Sequence, residues 1–188
     1  MTTTEQWFEW LSNPRKARSA MRFLGSLTST EEVDVGVVEA RLRSHDSKQV
    51  FWALTALACL AEVGWRPTNV LPTLLEQLRA GGTNALRASA LDVLSRSTDG
   101  GTLRTALCDG LRDFSDEVRG LAVREIERHR LQSEPEIRAV LEVLAAREPD
   151  DYVRGLAESA LGSTPGTAAS GEESVDGAGE GVPVASRK

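Results

Sequence analysis

Residues 116–122 read DEVRGLA and residues 151–157 read DYVRGLA, two nearly identical stretches 35 positions apart. Aligned on their last alanine, each is followed four positions later by a larger apolar residue: Ala122/Ile126 and Ala157/Leu161. The same pair stands upstream as Ala90/Leu94, Ala53/Leu57 and Ala20/Leu24, at spacings of 33, 37, 32 and 35 residues. A drifting period in the thirties is the signature of a stacked array with one supersecondary unit per period. The small alanine lets helices approach closely, and the larger residue one turn on fills the layer between them. One copy would mean little, because such pairs are common in any helix; five copies in step constrain the fold.

Each of these helices follows a second helical segment. The segments 101–113 and 134–148 carry Leu103, Leu107, Leu111 and Ile137, Val140, Leu141, Leu144 at helical spacing. Residues 69–80 pair with 84–97, residues 35–44 with a long apolar helix from about Ser47, and residues 2–12 with 14–27. Asp116, Asp150 or Asp151, Asn84 and Ser47 stand where helix N-caps belong, and Pro14 suits a first turn. Strand-like alternation is absent from the pattern. The expectation is an all-α chain, a right-handed α-solenoid of about five antiparallel helical hairpins over residues 1–162.

The pattern D-x-V-R-x-x-A-x-x-x-[LI] on the second helix of a hairpin resembles the HEAT repeat, including its short PBS-lyase-like form. DEVRGLAVREI and DYVRGLAESAL carry the resemblance best; NALRASALDVL has Asn84 for the Asp, and SKQVFWALTAL and PRKARSAMRFL keep only the Ala and Leu. The resemblance implies that Arg87, Asp116, Arg119, Asp151 and Arg154 form a polar ladder between repeats rather than contacts to a ligand. Its enzymatic relatives are not matched residue by residue. Iron-binding members use His-Glu pairs, and this chain has no His-Glu dipeptide. A base-repair reading would nominate Trp52, Asp92, Arg15, Arg18 and Arg22, and a bilin-lyase-like accessory role would rest on fold alone.

Composition narrows the function classes further. The net charge is −6, of which residues 163–188 contribute −2. An acidic body disfavours general nucleic-acid binding, since phosphate contacts need clustered Lys and Arg. The start MTTTEQWFEW does not have the form of a secretory signal. The longest apolar run, 50–61, is shorter than a membrane span. Cys59 and Cys108 make no metal or redox spacing and read as small buried hydrophobes, which suits a cytoplasmic chain. Arg far outnumbers Lys, the composition of a GC-rich bacterial genome. Residues 163–188, rich in Gly, Ala, Ser and Glu, are expected to be disordered.

No catalytic constellation is evident. His45 lies in a turn and His129 late on a helix, neither in a ligand spacing, and no nucleophile elbow or P-loop occurs. Gly100 and Gly101 read as a helix end. No cofactor or metal is implied.

The second helices of such a stack line its inner face, where solenoids bind. Residues five before, two before and two after each shared alanine then point outward. They are Arg15, Arg18, Arg22; Lys48, Phe51, Thr55; Ala85, Ala88, Asp92; Glu117, Gly120, Arg124; and Tyr152, Gly155, Ser159. Arg15, Arg18, Arg22, Lys48, Phe51, Arg124 and Tyr152 are the candidate partner contacts, and a protein with an acidic segment or helix suits the basic end. Two alternatives stay open. Phe51 and Trp52 are core or interface, and Trp7 and Phe8 cap the first pair or belong to a docking helix with Trp10. The reading is a non-catalytic scaffold or adaptor without membrane attachment.

Overall fold

The computed structural model describes residues 3–80 and 82–162. These residues form ten α-helices and no strand. The helices are α1 (Thr4–Ser12), α2 (Pro14–Gly25), α3 (Val35–Arg41), α4 (Ser47–Glu62), α5 (Leu71–Ala80), α6 (Asn84–Ser97), α7 (Gly100–Leu111), α8 (Asp116–His129), α9 (Pro135–Arg147) and α10 (Asp151–Gly162). A 3₁₀ turn at Thr30–Glu32 precedes α3. The expected disordered segment 163–188 lies outside the described residues.

The helices come in five consecutive pairs, and the pairs stack. Second helices meet in succession, α2 with α4, α4 with α6, α6 with α8 and α8 with α10, while α1 meets α3, α5 meets α7 and α7 meets α9. The second helices run in the same direction. Asn84 at the start of α6 donates to Glu117 at the start of α8, and Glu62 at the end of α4 pairs with Arg96 near the end of α6.

The repeating alanines explain the close stacking. Ala20, Ala53, Ala90, Ala122 and Ala157 are all completely buried, and Leu24, Leu57, Leu94 and Ile126 are buried one turn later; Leu161, in the last helix, is half-buried. Around Ala122 the fit is tight. A Cβ added to Gly110 of α7 would stand 3.1 Å from the Ala122 Cβ and 2.8 Å from Leu91 Cδ2. Ala122→Leu is therefore expected to cost about 1–3 kcal/mol through overpacking, read from urea unfolding midpoints. Ala139→Leu on the exposed side of α9 should change them little.

The first pair is a full hairpin. Asn13 alone joins its helices, ending α1 with an N–H to Trp10 O and capping α2 by accepting from the Arg15 amide. Trp7, Phe8 and Leu11 are buried, and Trp7 Nε1 donates to Ala20 O at 3.1 Å. Of the two alternatives for this helix, Trp7 and Phe8 thus cap the core. Trp10 is half-buried, with Lys16 Nζ 5.5 Å from its ring centroid.

Four local expectations are corrected. Ser47, Asn84 and Asp116 are first helical residues, and the caps lie one position earlier at Asp46, Thr83 and Ser115. The preceding side chains of Asp46 and Thr83 carry the accepting oxygen, bonding the amides of Lys48 and Leu86. Asp150 does cap α10, accepting from the Val153 amide at 2.9 Å. Gly100 and Gly101 begin α7 rather than end a helix; Gly100 has φ +52°, a backbone glycine adopts without strain.

Candidate functional site

The outward positions of the second helices form one continuous face. Arg15, Arg18, Arg22, Lys48, Ala85, Glu117, Arg124, Tyr152, Gly155 and Ser159 are exposed, and Phe51, Thr55, Ala88 and Asp92 are half-buried. Gly120 departs from the expectation. It is buried, because Val153 Cγ2 and Leu156 Cδ1 of α10 lie over it, 3.5 and 3.8 Å from where a Cβ would be.

Three recesses open along this face. The largest, about 530 Å³, lies where α1, α2, α4 and α6 converge, with Leu11, Ala17, Phe51, Trp52, Ala85 and Leu86 as its apolar walls. Ser47, Lys48 and Thr83 supply its polar edge. Phe51 and Trp52 meet edge to face at 5.2 Å between centroids. Both are half-buried, so they support the core on one side and wall the groove on the other. A second recess of about 220 Å³ between α4 and α6 includes Thr55, Cys59, Asp92 and Arg96. The third, about 240 Å³, brings Asp116, Glu117, Gly120, Arg124, Asp150 and Tyr152 together between α8 and α10.

No family model matches this chain, and no match was found among curated proteins.

Charge along the face is graded. Arg15, Arg18 and Arg22 share a stripe on α2 and make no side-chain ion pair with the described residues. Asp116, Glu117, Asp150 and Asp151 gather at the starts of α8 and α10. A cationic end and an anionic end therefore share one surface.

Of the arginines expected in an inter-repeat ladder, Arg87 and Arg119 bridge neighbouring pairs, with acids other than those expected, while Arg154 bonds within its own pair. Arg87 Nε and Nη2 donate to Asp113 Oδ2 and Oδ1 at 2.7 and 3.1 Å, and Arg119 Nη2 and Nε donate to Glu148 Oε1 and Oε2 at 2.6 and 2.8 Å. Arg119 Nη1 also reaches Asp113 O, and Arg154 Nη1 reaches Glu148 O. The bridging acids are thus Asp113 and Glu148, in the turns before α8 and α10. Asp151 pairs instead with Arg154 inside its own helix, and Asp116 is an exposed first-turn residue. Hydrogen bonds from Arg119 hold the Glu148 carboxyl below the ordinary range and raise the guanidinium further.

Phe114 escaped the sequence reading. It is 82 % exposed, yet its ring centroid lies 3.7 Å from Arg87 Cζ, so it covers the guanidinium that Asp113 grips edge-on. An aromatic in the short turn D-F-S, outside the alanine register, was the available signal.

Burial pushes both the Cys59 and Cys108 thiols up, keeping them protonated. His129 Nε2 is buried without a hydrogen bond, 3.8 Å from Glu125 Oε2, and His45 is exposed before α4. No cluster of three metal-ligating side chains occurs among the described residues. No described helix is long and apolar enough to cross a membrane.

Proposed function

We propose that the chain is a HEAT-like α-solenoid acting as a non-catalytic scaffold or adaptor in the bacterial cytoplasm, binding a protein partner along the face of its second helices. The observation that carries this reading is the apolar groove walled by Phe51 and Trp52, beside the exposed cations of α2. Arginine next to partly exposed aromatic surface is the composition of interface hot spots. An amphipathic segment with carboxylates beside its apolar residues suits that arrangement: the apolar residues enter the groove and the carboxylates meet Arg18, Arg22 and Lys48. The two free thiols suit a reducing compartment.

The test compares the intact chain with an Arg18→Ala/Arg22→Ala/Phe51→Ala variant, both as bait in nuclease-treated native extract. Equal helical content and melting are required first, since Phe51 packs against the core. A hot-spot anchor of about 2 kcal/mol predicts that the captured protein binds the variant at least about thirtyfold more weakly. Equal capture by both baits would refute the groove reading, and recovery of nuclease-sensitive material alone would favour the nucleic-acid alternative.

A further inference from the structure

Building on that reading of the groove, we propose that its resting occupant is the chain's own acidic C-terminal segment, and that a partner binds by displacing it. The first support is charge. Lys48 edges the groove, Lys16 and Arg18 adjoin Ala17 of its wall in sequence, and Arg15 and Arg22 continue the stripe. Glu172, Glu173, Asp176 and Glu180 fall within a nine-residue stretch, 172–180, that has no cation. Of the acids nearby, Asp46, the nearest in sequence to Lys48, accepts the Lys48 amide as a cap, Asp92 in the second recess is paired with Arg96, and Asp116, Glu117 and Asp150 lie toward α8 and α10.

The second support is apolar pairing. Val175 stands among the acids, and Val182, Pro183 and Val184 follow them. These are short, branched or cyclic side chains of a size that enters a cleft between Phe51, Trp52 and Leu86. Proline also limits the ordering entropy lost on docking.

The third support is reach. The groove lies at the starts of α4 and α6, whereas Gly162 closes the far end of the parallel helix α10. Helix α10, with 12 residues at about 1.5 Å each, covers about 18 Å. Three helix-to-helix steps of about 8–10 Å separate α10 from α4. The diagonal is therefore about 30–35 Å by the same spacings. Residues 163–176 extend to about 46–50 Å at about 3.3–3.6 Å each, so the acidic stretch and the valines after it reach the groove. A tethered segment competes as though present at about millimolar concentration, so even a weak contact is populated and an outside ligand must exceed it.

The chain has three lysines, Lys16, Lys48 and Lys188, of which Lys48 edges the groove and Lys16 adjoins its wall residue Ala17 in sequence. Carbodiimide coupling of lysine amines to carboxylates therefore reads the contact in the full-length protein. An equal mixture of ¹⁴N- and ¹⁵N-labelled chains is coupled at low salt and at about 0.5 M NaCl, where the Debye length falls to about 4 Å. Expected are links from Lys48 or Lys16 to Glu172, Glu173, Asp176 or Glu180 within one isotopic chain, at least fivefold weaker in high salt. Links only to carboxylates of residues 3–162, or links joining the two isotopes, would overturn the proposal. A Glu172→Gln/Glu173→Gln/Asp176→Gln/Glu180→Gln full-length variant should take up the partner identified above several-fold more tightly. Unchanged uptake by this variant defeats the tail inference alone. Uptake insensitive to Arg18, Arg22 and Phe51 defeats the groove reading itself.

Discussion

Replacing Arg87 by methionine is expected to destabilise the protein by about 3–5 kcal/mol, the cost of stranding one member of a buried ion pair. The side chains of Arg87 and Asp113 are only 2 % and 6 % exposed, and the fork of the guanidinium meets both carboxylate oxygens. Methionine keeps much of the stem's packing but leaves the Asp113 carboxylate without its cation. Asp113 is not idle otherwise: its Oδ1 accepts from the Ser115 amide at 2.7 Å, and its carbonyl accepts from Arg119. Loss of the pair therefore loosens the turn that starts α8 as well as the contact to α6. At about 2–4 °C per kcal/mol for a chain of this size, melting should fall by about 6–20 °C. Arg87→Met combined with Asp113→Leu should recover part of the loss, because no buried charge is then left alone. The recovery is incomplete, since the Ser115 amide loses its acceptor. Additive single losses, or a loss below about 1 kcal/mol for Arg87→Met, would place the pair with ordinary surface bridges.

The second large effect is a pH dependence centred on Glu148. Its carboxylate takes two hydrogen bonds from Arg119 and one from the Asp150 amide, and is held below the ordinary value of 4.5 chiefly by Arg119. A carboxyl depressed in the folded state binds its proton more readily when unfolded. Its contribution is therefore fully present above about pH 4.5 and is lost as pH falls from there through the lowered folded value. Glu148→Gln should cost about 3 kcal/mol at pH 7, and the gap to the parent should close as pH falls below about 4.5. Urea unfolding from about pH 3.5 to 7 reads this as two converging curves. Parallel curves would mean that Glu148 does not carry the linkage. Arg119 titrates far above this window, so the difference belongs to the carboxyl.

The parts of this architecture that were legible in the sequence are those that repeat at helical spacing. Ala20, Ala53, Ala90, Ala122 and Ala157 share a single environment because each must admit a neighbouring helix, and that demand leaves a periodic trace. The turns leave a trace too, but outside the D-x-V-R motif. Asp113 and Glu148 each stand nine residues before the shared alanine of their repeat, so the bridging acid keeps a constant column in the last two repeats, three positions ahead of the D-x-V-R stretch on which the ladder expectation was placed. Asp116 and Asp151 keep a constant column as well and were nominated through the resemblance to the HEAT repeat, yet they lie on the first, exposed turns of α8 and α10. The candidate face was legible position by position except at Gly120. There the missing side chain admits α10, a tertiary demand that helical phase alone does not reveal. Phe51 and Trp52 divide between core and groove because an amphipathic pattern assigns a residue to one side, whereas a large ring spans both.

The bonds running Arg87–Asp113–Arg119–Glu148–Arg154 alternate side chain and backbone, and they thread α6, α8 and α10 without interruption. In a one-dimensional stack the stability of each unit is shared with its neighbours through such interface terms. The last three pairs are consequently expected to unfold as a single cooperative block, so that damage to one turn is felt two helices away and mutational losses do not simply add.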